Sequence, residues 1–398
     1  MNNTWRFGQA ELTYVREVLD SGFGSSTSGS MNNRLETAFA AKAGAKFAIT
    51  FNSGTGTLQA ALDAVGVSAG DEVITTPLTV ISNADVILAQ NAIPVFADVD
   101  PGTFNIDPAD VERKITDRTR AIMPVSLYGL PCDLDAYMEL GRRHNVAIIN
   151  DAAQAHMAEY KGRAIAGIAD ITSYSLENSK HITTGDGGIV VTDDDALATK
   201  MRKFGSLGYA AMKSGDGRIR INKKIFQDPK YKRHDAFGYN FRMPEVAAAV
   251  GLAQVERMDF FVDIRVTIAN MYADVVRGID YLAPQATPEG YKNTYWCFAL
   301  KYLRDDVSWY EFRDKYMDFG GDGIYASWAL LYEEELFASG VYKDHAPHYY
   351  QDVEYGPGLC PVAESIQPQL MQFVNNYGSV EEAEPKVEAL RKTIEYFN

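Results

Sequence analysis

A single lysine, Lys180, lies between a strand-like segment at 170–175 and a glycine-rich turn at 185–188. We expect the three glycines of that turn to adopt backbone angles that other residues avoid. A lysine confined in this way could form a Schiff base with a carbonyl cofactor, because burial beside cationic groups would lower the pKa of its amine. Most lysines are solvated surface charges, so this interpretation needs partner residues elsewhere in the chain.

Asp151 is the first such partner, since it follows the apolar strand-like segment 146–149. The carboxyl ends of parallel strands form the ligand crevice of an α/β sheet, and an acid there can face a bound molecule. An ionised Asp151 could keep a cofactor pyridine ring protonated, which makes the ring an electron sink. The alternative is a helix N-cap, and the residue alone favours neither.

Residues 52–57 form a second partner, with the sequence Asn-Ser-Gly-Thr-Gly-Thr between a strand-like segment at 47–51 and a helical one at 58–65. Backbone N–H groups and hydroxyls at such a helix start suit a phosphate. The segment matches neither of the glycine patterns that bind nucleotides, which favours a single phosphate group. A capped helix without a ligand is the alternative.

A lysine for an aldehyde, an acid for a ring nitrogen and a phosphate cradle together describe a pyridoxal phosphate site. Their order resembles the DegT/DnrJ/EryC1/StrS sugar aminotransferase family of fold-type I enzymes over nearly the whole chain. The blocks that carry the resemblance are residues 70–77, 94–100, 127–131, 151–155, 180–188 and 238–245.

The resemblance implies a role for each matching position. Lys180 would bind the cofactor aldehyde and move the proton of transamination, Asp151 would bind the pyridine nitrogen, and Gln154 would lie by the phenolic oxygen. The other implied cofactor-binding residues are the phosphate-holding Gly54, Thr55 and Ser175, the ring-covering Val80, and Asn240, which would reach the phosphate bound by a partner subunit. The resemblance therefore implies a homodimer with shared active sites.

Two positions depart from the family pattern. Val80 stands where many relatives have an aromatic ring stacked on the cofactor, so it would cover the ring by apolar contact alone. His181 stands where relatives commonly have asparagine; it is a candidate substrate-binding residue, although orientation or packing is the expected role. Some relatives that dehydrate keto sugars have histidine at the lysine position, so Lys180 favours transamination over dehydration.

Length and composition fit a cytoplasmic two-domain enzyme. The 398 residues exceed one ordinary domain, no apolar run is long enough to span a membrane, and the first residues lack a signal-peptide pattern. The three cysteines have unrelated spacings, which argues against a disulfide framework or a metal site. A formal net charge of −15 argues against nucleic acid as a partner.

One segment, 213–233, is basic within this acidic chain. Its Arg218, Arg220 and Lys223 are candidate substrate-binding residues that could steer an anionic substrate, and a solvated loop is the alternative. Tyr325, in the aromatic segment 320–328, is a further candidate for the substrate wall, with core packing as its alternative.

Alternating strand and helix signals predict an α/β fold with a mainly parallel central sheet. We expect a large cofactor-binding domain with an N-terminal arm at 1–258 and a smaller C-terminal α+β domain at 259–398. The predicted elements include central strands at 121–126, 146–149 and 189–192, a helix at 244–258, a strand at 291–302 and a closing helix at 381–397.

The resemblance implies transfer of an amino group from glutamate, or glutamine, to a keto or aldehyde sugar in amino-sugar and cell-surface polysaccharide biosynthesis. The sugar could be linked to a nucleotide or be an oxidised 3-deoxy-octulosonate, the precursor of an 8-amino sugar in lipopolysaccharide. Two alternatives stay open. One is a pyridoxal phosphate-dependent sugar dehydratase or lyase, and the other is a regulatory protein that binds the cofactor without turnover.

Overall fold

A seven-stranded sheet forms the centre of the computed structural model, which describes residues 4–398. The strands of the chain are β1 (Phe47–Phe51), β2 (Glu72–Thr75), β3 (Ile93–Phe96), β4 (Thr119–Met123), β5 (Ala147–Asp151), β6 (Glu159–Tyr160), β7 (Arg163–Ala164), β8 (Ile171–Ser175), β9 (Gly188–Thr192), β10 (Leu282–Pro284), β11 (Tyr291–Lys292), β12 (Phe298–Tyr302), β13 (Ile324–Ala326) and β14 (Leu370–Phe373). The order in the large sheet is β1-β9-β8-β5-β4-β2-β3. Only β9 runs against its neighbours, so the expected mainly parallel sheet is confirmed.

The chain has helices on both faces of this sheet and in the C-terminal part. They are α1 (Gln9–Asp20), α2 (Met31–Ala43), α3 (Gly54–Ala64), α4 (Ser82–Ala89), α5 (Pro108–Lys114), α6 (Leu134–His144), α7 (Asp195–Phe204), α8 (Lys223–Phe226), α9 (Glu245–Glu256), α10 (Met258–Val276), α11 (Trp309–Asp318), α12 (Glu335–Ala338), α13 (Val341–His345), α14 (Pro347–Tyr350), α15 (Pro361–Ile366) and α16 (Val380–Phe397). None of these helices is long and apolar enough to cross a membrane.

The apolar runs of the central strands follow from this two-sided cover. In β9, Ile189 and Val191 pack into one core cluster with α2 and α9, whereas Val190 packs into another with α3 and α7. A strand buried on both faces needs apolar residues at successive positions, which is why the sequence of β9 does not alternate.

A second sheet, of order β10-β12-β14-β13, lies in the C-terminal part and is antiparallel throughout. Helix α10 joins the two parts, because Phe261 packs with the core of the large sheet and Tyr272 packs with the core of the small one. The domain boundary between residues 258 and 259 stays a prediction, and a continuous helix runs from that point. The expected helices of 244–258 and 381–397 are present as α9 and α16.

The prediction of a single strand over 291–302 is wrong. Its first residues form β11, which pairs with β6 outside the small sheet, and only β12 belongs to that sheet. Tyr295 between them has a φ of 49°, a left-handed conformation that ends the extended chain. This turn brings Trp296 against the lysine loop, because its indole N–H donates to the main-chain oxygen of Ser179 at 3.0 Å.

Candidate active site

A cavity of about 360 Å³ lies at the carboxyl edge of the large sheet. Its volume falls in the range of small-molecule sites, and its position follows the rule for parallel sheets. The predicted cofactor residues that line it are Gly54, Thr55, Val80, Asp151, Gln154, Ser175 and Lys180. Four separate chain segments contribute these seven residues, so the sheet brings together residues that lie up to 126 positions apart in the sequence, from Gly54 to Lys180.

The phosphate cradle is the start of α3, which begins at Gly54, earlier than the expected 58. The Ser53 hydroxyl caps this helix by accepting from the N–H of Gly56 at 3.0 Å. Among residues 4–398 the N–H groups of Gly54 and Thr55 have no acceptor, and both residues line the cavity. Such free donors at a helix N-terminus make an anion site.

One glycine of the 185–188 turn, Gly188, is required by space, and the expectation of unusual backbone angles holds only for Gly185, with a φ of 88°. At Gly188 a Cβ atom would lie 2.5 Å from the main-chain oxygen of Ser53 and 2.8 Å from the nitrogen of Gly54. At Gly187 it would lie 2.2 Å from a hydroxyl of the neighbouring turn. The reversed strand β9 thus begins directly against the cradle, which only glycine permits.

Lys180 projects into the cavity from the loop after β8 and is only 8% exposed. Its Nζ lies 4.7 Å from the ring centroid of Trp296. Burial lowers the pKa of this amine below its ordinary value, and the charge of Arg265 acts in the same direction, whereas Glu177 and Asp151 oppose it. The direction that the sequence predicts for this amine is confirmed, and a neutral amine is the nucleophile that carbonyl chemistry needs.

Asp151 is the last residue of β5, is 4% exposed and lines the same cavity. Its Oδ1 accepts from the N–H of Ala153 at 3.0 Å, and its Oδ2 accepts from the side-chain amide of Asn83 at 3.1 Å. Residues 152–158 form turns, so the helix N-cap alternative is wrong. Burial raises the pKa of Asp151, whereas these two donors and the charge of Lys180 act against that rise. A cationic ring nitrogen would oppose it further.

The side chain of Gln154 is held by a hydrogen bond that the sequence analysis did not predict. Its side-chain oxygen accepts from the N–H of Tyr128 at 2.7 Å, and Tyr128 has a φ of 60°. This bond leaves the amide N–H₂ of Gln154 to donate to a ligand oxygen. The segment 127–131, one of the blocks that carry the resemblance, therefore orients a side chain of the cavity.

The C-terminal part closes the cavity with two indole rings, Trp296 and Trp328. Their centroids are 5.8 Å apart with an interplanar angle of 20°. Trp328 ends the segment 320–328 that the sequence predicts as part of the substrate wall, whereas Trp296 was predicted only as part of a strand. Val80 lines the same cavity, and its role of covering a cofactor ring stays a prediction.

The basic segment does not reach this cavity within one chain. Arg218 donates to Asp216 through its Nε at 3.0 Å, and Arg220 pairs with the other oxygen of the same carboxylate at 3.2 Å. Lys223 is exposed at the start of α8. None of these three cations lines the cavity, so their substrate-binding role stays a prediction.

Three further candidates do not line this cavity. Asn240 is exposed and forms a backbone bridge with Ser206. His181 is 1% exposed, and its Nε2 is 2.9 Å from the main-chain oxygen of Thr294, a contact that indicates packing. Tyr325 lines an adjoining cavity of about 310 Å³, which shares Ser179 and both indole rings with the first one. The roles of all three toward ligands stay predictions.

Comparisons with known proteins agree with this geometry. The model of the DegT/DnrJ/EryC1/StrS aminotransferase family matches residues 6–375. A GDP-perosamine synthase of Caulobacter vibrioides is 38% identical over 294 residues, which are 73% of this chain and 74% of that protein. The spore coat polysaccharide biosynthesis protein SpsC of Bacillus subtilis is 39% identical over 265 residues, 67% of this chain and 66% of that protein. The crystal structure of an aminotransferase from Psychrobacter cryohalolentis superimposes with a TM-score of 0.85 at 29% identity, covering 98% of each chain.

The chain therefore belongs to the DegT/DnrJ/EryC1/StrS aminotransferase family, and it is a pyridoxal phosphate-dependent transaminase with the fold-type I architecture. Its cavity fits that cofactor by the chemistry of its donors. Free N–H groups at Gly54 and Thr55 suit the phosphate, a buried carboxylate at Asp151 suits a ring nitrogen, and a buried amine at Lys180 suits an aldehyde.

Proposed function

We propose that the protein transfers an amino group from glutamate, or glutamine, to a nucleotide-linked keto sugar that serves polysaccharide biosynthesis. The observation that carries the proposal is the convergence of Lys180, Asp151 and the α3 N-terminus on one cavity. When bound there, pyridoxal phosphate supplies an aldehyde that accepts amines and a ring that accepts electrons.

In this proposal the residues of the chain divide the work. Lys180 Nζ would hold the cofactor aldehyde and would move a proton between the substrate carbon and its own nitrogen. Asp151 holds the ring nitrogen and is itself oriented by Asn83 at 3.1 Å. Gln154 orients the ring through its amide, and the N–H groups at the start of α3 bind the phosphate.

The two indole rings support a sugar as acceptor. Trp296 and Trp328 stand between the cofactor cavity and the adjoining cavity that holds Tyr325. Aromatic faces bind sugar rings by apolar contact, and Gln372 and Asn375 add amide groups to the same wall. We propose that the reacting keto carbon lies in the first cavity and that the rest of the acceptor extends into the second.

The relatives favour a nucleotide-linked acceptor over an oxidised octulosonate. One is named a GDP-perosamine synthase and another a spore coat polysaccharide biosynthesis protein, and neither name points to an octulosonate. An extended acceptor also makes use of the second cavity. Location in the cytoplasm, where such sugars are made, remains part of this proposal.

A second copy of the chain would complete the site. Phe237 is 71% exposed and Tyr239 is 40% exposed, and both shortly precede the exposed Asn240 in the chain. Large apolar side chains grouped at one surface indicate a contact with another protein surface. We propose that this surface packs on the partner subunit, so that Asn240 and the basic segment 213–233 serve the partner's cavity. Sedimentation of the purified protein as a monomer would contradict this arrangement.

The experiment is a visible absorption spectrum of the protein with pyridoxal phosphate, recorded before and after glutamate is added. We expect the band of the lysine-bound cofactor to disappear with glutamate and to return when a nucleotide-linked keto sugar follows. One 2-oxoglutarate should form for each amino sugar. The Lys180→Ala variant should form no such band, whereas Lys392→Ala, which alters an exposed lysine of α16, should behave as wild type.

The alternatives give different results. A band that ignores both glutamate and glutamine, with water or ammonia released from a sugar, would indicate the lyase. A band with no turnover of any kind would indicate the regulatory protein. Absence of a cofactor band in the wild-type protein would refute the proposed role of Lys180.

A further inference from the structure

The main chain of Lys180 is held by an arginine from the beginning of the chain. Arg6 is fully buried in the short 3-10 turn Thr4–Arg6. Its guanidinium donates to the main-chain oxygens of Asn178 at 2.6 Å, Lys180 at 2.7 Å and His181 at 3.0 Å. Three bonds from one rigid group fix the loop from which the amine projects.

A second buried arginine reaches the same carbonyl from α10. Arg265 is 2% exposed and donates to the main-chain oxygens of Ser179 at 2.9 Å and Lys180 at 3.1 Å. It also donates to the main-chain oxygen of Trp296 at 2.6 Å, so it ties the indole wall to the lysine loop. The Lys180 carbonyl thus accepts from two guanidinium groups that approach from different elements.

Neither guanidinium forms a salt bridge with a carboxylate among residues 4–398, and both bind backbone oxygens instead. Burial lowers the pKa of Arg6 to about 10 and that of Arg265 to about 9, so both remain cations at neutral pH. A buried ion pair would have been neutral overall, and its field would have been weak at the amine. Within the part of the chain that the structure describes, no paired carboxylate neutralises Arg265, so its charge acts on the Lys180 amine against the charges of Glu177 and Asp151.

The groups that act on the Lys180 amine come from several elements. Glu177, Asp151 and Cys297 favour its protonated form, whereas Arg265 favours the neutral form. Burial opposes protonation most strongly. The charge of Arg265 therefore opposes the charges of the two carboxylates that act on the amine, Glu177 and Asp151.

Two buried histidines near the arginines add no further positive charge. His156 and His181 are buried with ring centroids 5.3 Å apart. Burial and the charge of Arg265 lower the pKa of both imidazoles below their ordinary range. Both rings are therefore neutral at physiological pH and leave the field of the arginines intact.

We infer that Arg6 and Arg265 are positioning residues that hold the Lys180 main chain, and that the charge of Arg265 in addition disfavours protonation of the lysine amine. The inference rests on the proposed role of Lys180 as the cofactor-binding amine. It gives the N-terminal segment a place in the active site, because residue 6 contacts the lysine loop across 174 positions of sequence.

The test measures the protonation of the Lys180 amine in the full-length, cofactor-free protein. It therefore requires neither turnover nor a substrate. The extent of acetylation by acetic anhydride is followed against pH, and the peptide with Lys180 is quantified by mass spectrometry. The midpoint of this acetylation curve is the pH at which half of the Lys180 amine is neutral. We expect the midpoint of Arg265→Met to lie about one pH unit above that of wild type, because a nearby like charge is removed. Arg265→Lys retains the charge and should stay near the wild-type midpoint.

Arg6→Met should leave the midpoint nearly unchanged and loosen the loop. We expect amide hydrogen exchange at residues 178–181 to become at least about tenfold faster, since three hydrogen bonds are lost. The matched control is Arg257→Met. Arg257 donates to the main-chain oxygen of Arg6 and to Glu11 and does not contact the lysine loop, so this change removes an arginine without removing the cation at the amine.

An unchanged midpoint in a folded Arg265→Met protein would overturn the role of its charge. An equal rise in Arg257→Met would also overturn it, because general loosening would then explain both. If Arg265→Met does not fold, Arg265→Gln keeps an N–H₂ donor without the charge and must raise the midpoint in the same direction. Unchanged exchange at 178–181 in Arg6→Met would overturn the positioning role of Arg6.

Discussion

Replacing Gly188 by alanine should damage the phosphate cradle through a contact that the structure defines. A Cβ atom at this position would lie 2.5 Å from the Ser53 oxygen, 2.7 Å from the Ser53 carbonyl carbon and 2.8 Å from the Gly54 nitrogen. Ordinary contact begins at about 3.4 Å, so the junction of β1 and α3 must move by about 0.9 Å. All three atoms are backbone atoms, so no side-chain rotation relieves the clash.

The expected losses of stability and of cofactor affinity follow from the same geometry. Forcing one methyl group into a packed region costs about 1–3 kcal/mol of unfolding free energy. The shift also moves the N–H groups of Gly54 and Thr55, which we expect to bind phosphate. We therefore expect the dissociation constant for pyridoxal phosphate to rise at least about tenfold, which corresponds to about 1.4 kcal/mol. The assays are urea denaturation and an absorbance titration with the cofactor.

The matched control is Gly44→Ala. Gly44 ends α2 with a φ of 72° and has no atom within 4 Å of a Cβ position, so alanine there is strained without a clash. We expect a loss of about 1–2 kcal/mol in stability and no change in cofactor affinity. Wild-type affinity in Gly188→Ala, or an equal loss of affinity in both variants, would refute the argument that close approach of β9 shapes the cradle.

Two further predictions concern buried charge. Arg202→Met should lower the unfolding free energy by about 3–5 kcal/mol in urea denaturation, because Glu36, with a side chain 8% exposed, loses its bidentate partner at 2.9 and 3.0 Å. Burial lowers the pKa of His156 to about 3, so the unfolded chain binds more protons at any pH between about 3 and 6.5. Stability should therefore fall with decreasing pH below about 6.5, and His156→Gln should remove about 1.4 kcal/mol per pH unit of that slope.

Controls for these two changes lie in the same chain. Arg142 pairs with Glu139 on the surface, where the side chains are 72% and 49% exposed, and Arg142→Met should change stability by no more than about 0.5 kcal/mol. An equal loss in Arg142→Met and Arg202→Met would contradict the assignment of the large effect to burial. Identical pH slopes for wild type and His156→Gln would show that His156 is already protonated or not buried.

Local sequence was sufficient for the parts of the site that are defined by their chain neighbours. Strand, small residues and helix follow one another at 47–65, and the acid at 151 ends a strand, so the edge of the sheet and its phosphate cradle could be predicted. The same reasoning misjudged Gly187 and Gly188. Neither has a positive φ, and Gly188 is required because backbone atoms of Ser53 and Gly54 lie against it.

Residues that act across the fold carried no such signal. Trp296 reaches the lysine loop over 117 positions, Arg265 over 85 and Arg6 over 174. Nothing in their neighbouring residues distinguishes them from ordinary surface arginines or core aromatics, because a contact at this separation leaves no periodicity in the chain.

The sequence by itself determined the kind of chemistry, since a lysine, an acid and a helix start are each defined by residue type and short spacing. Tertiary structure decided how deeply those groups are buried and which charges lie near them. Packing of α10 and the first turn against the lysine loop places two cations at the Lys180 carbonyl, and the folded chain buries the lysine side chain to 8% exposure. The protonation of a side chain depends on its burial and on every charge near it in space. Residues far apart in the sequence supply both, so only the folded chain sets them.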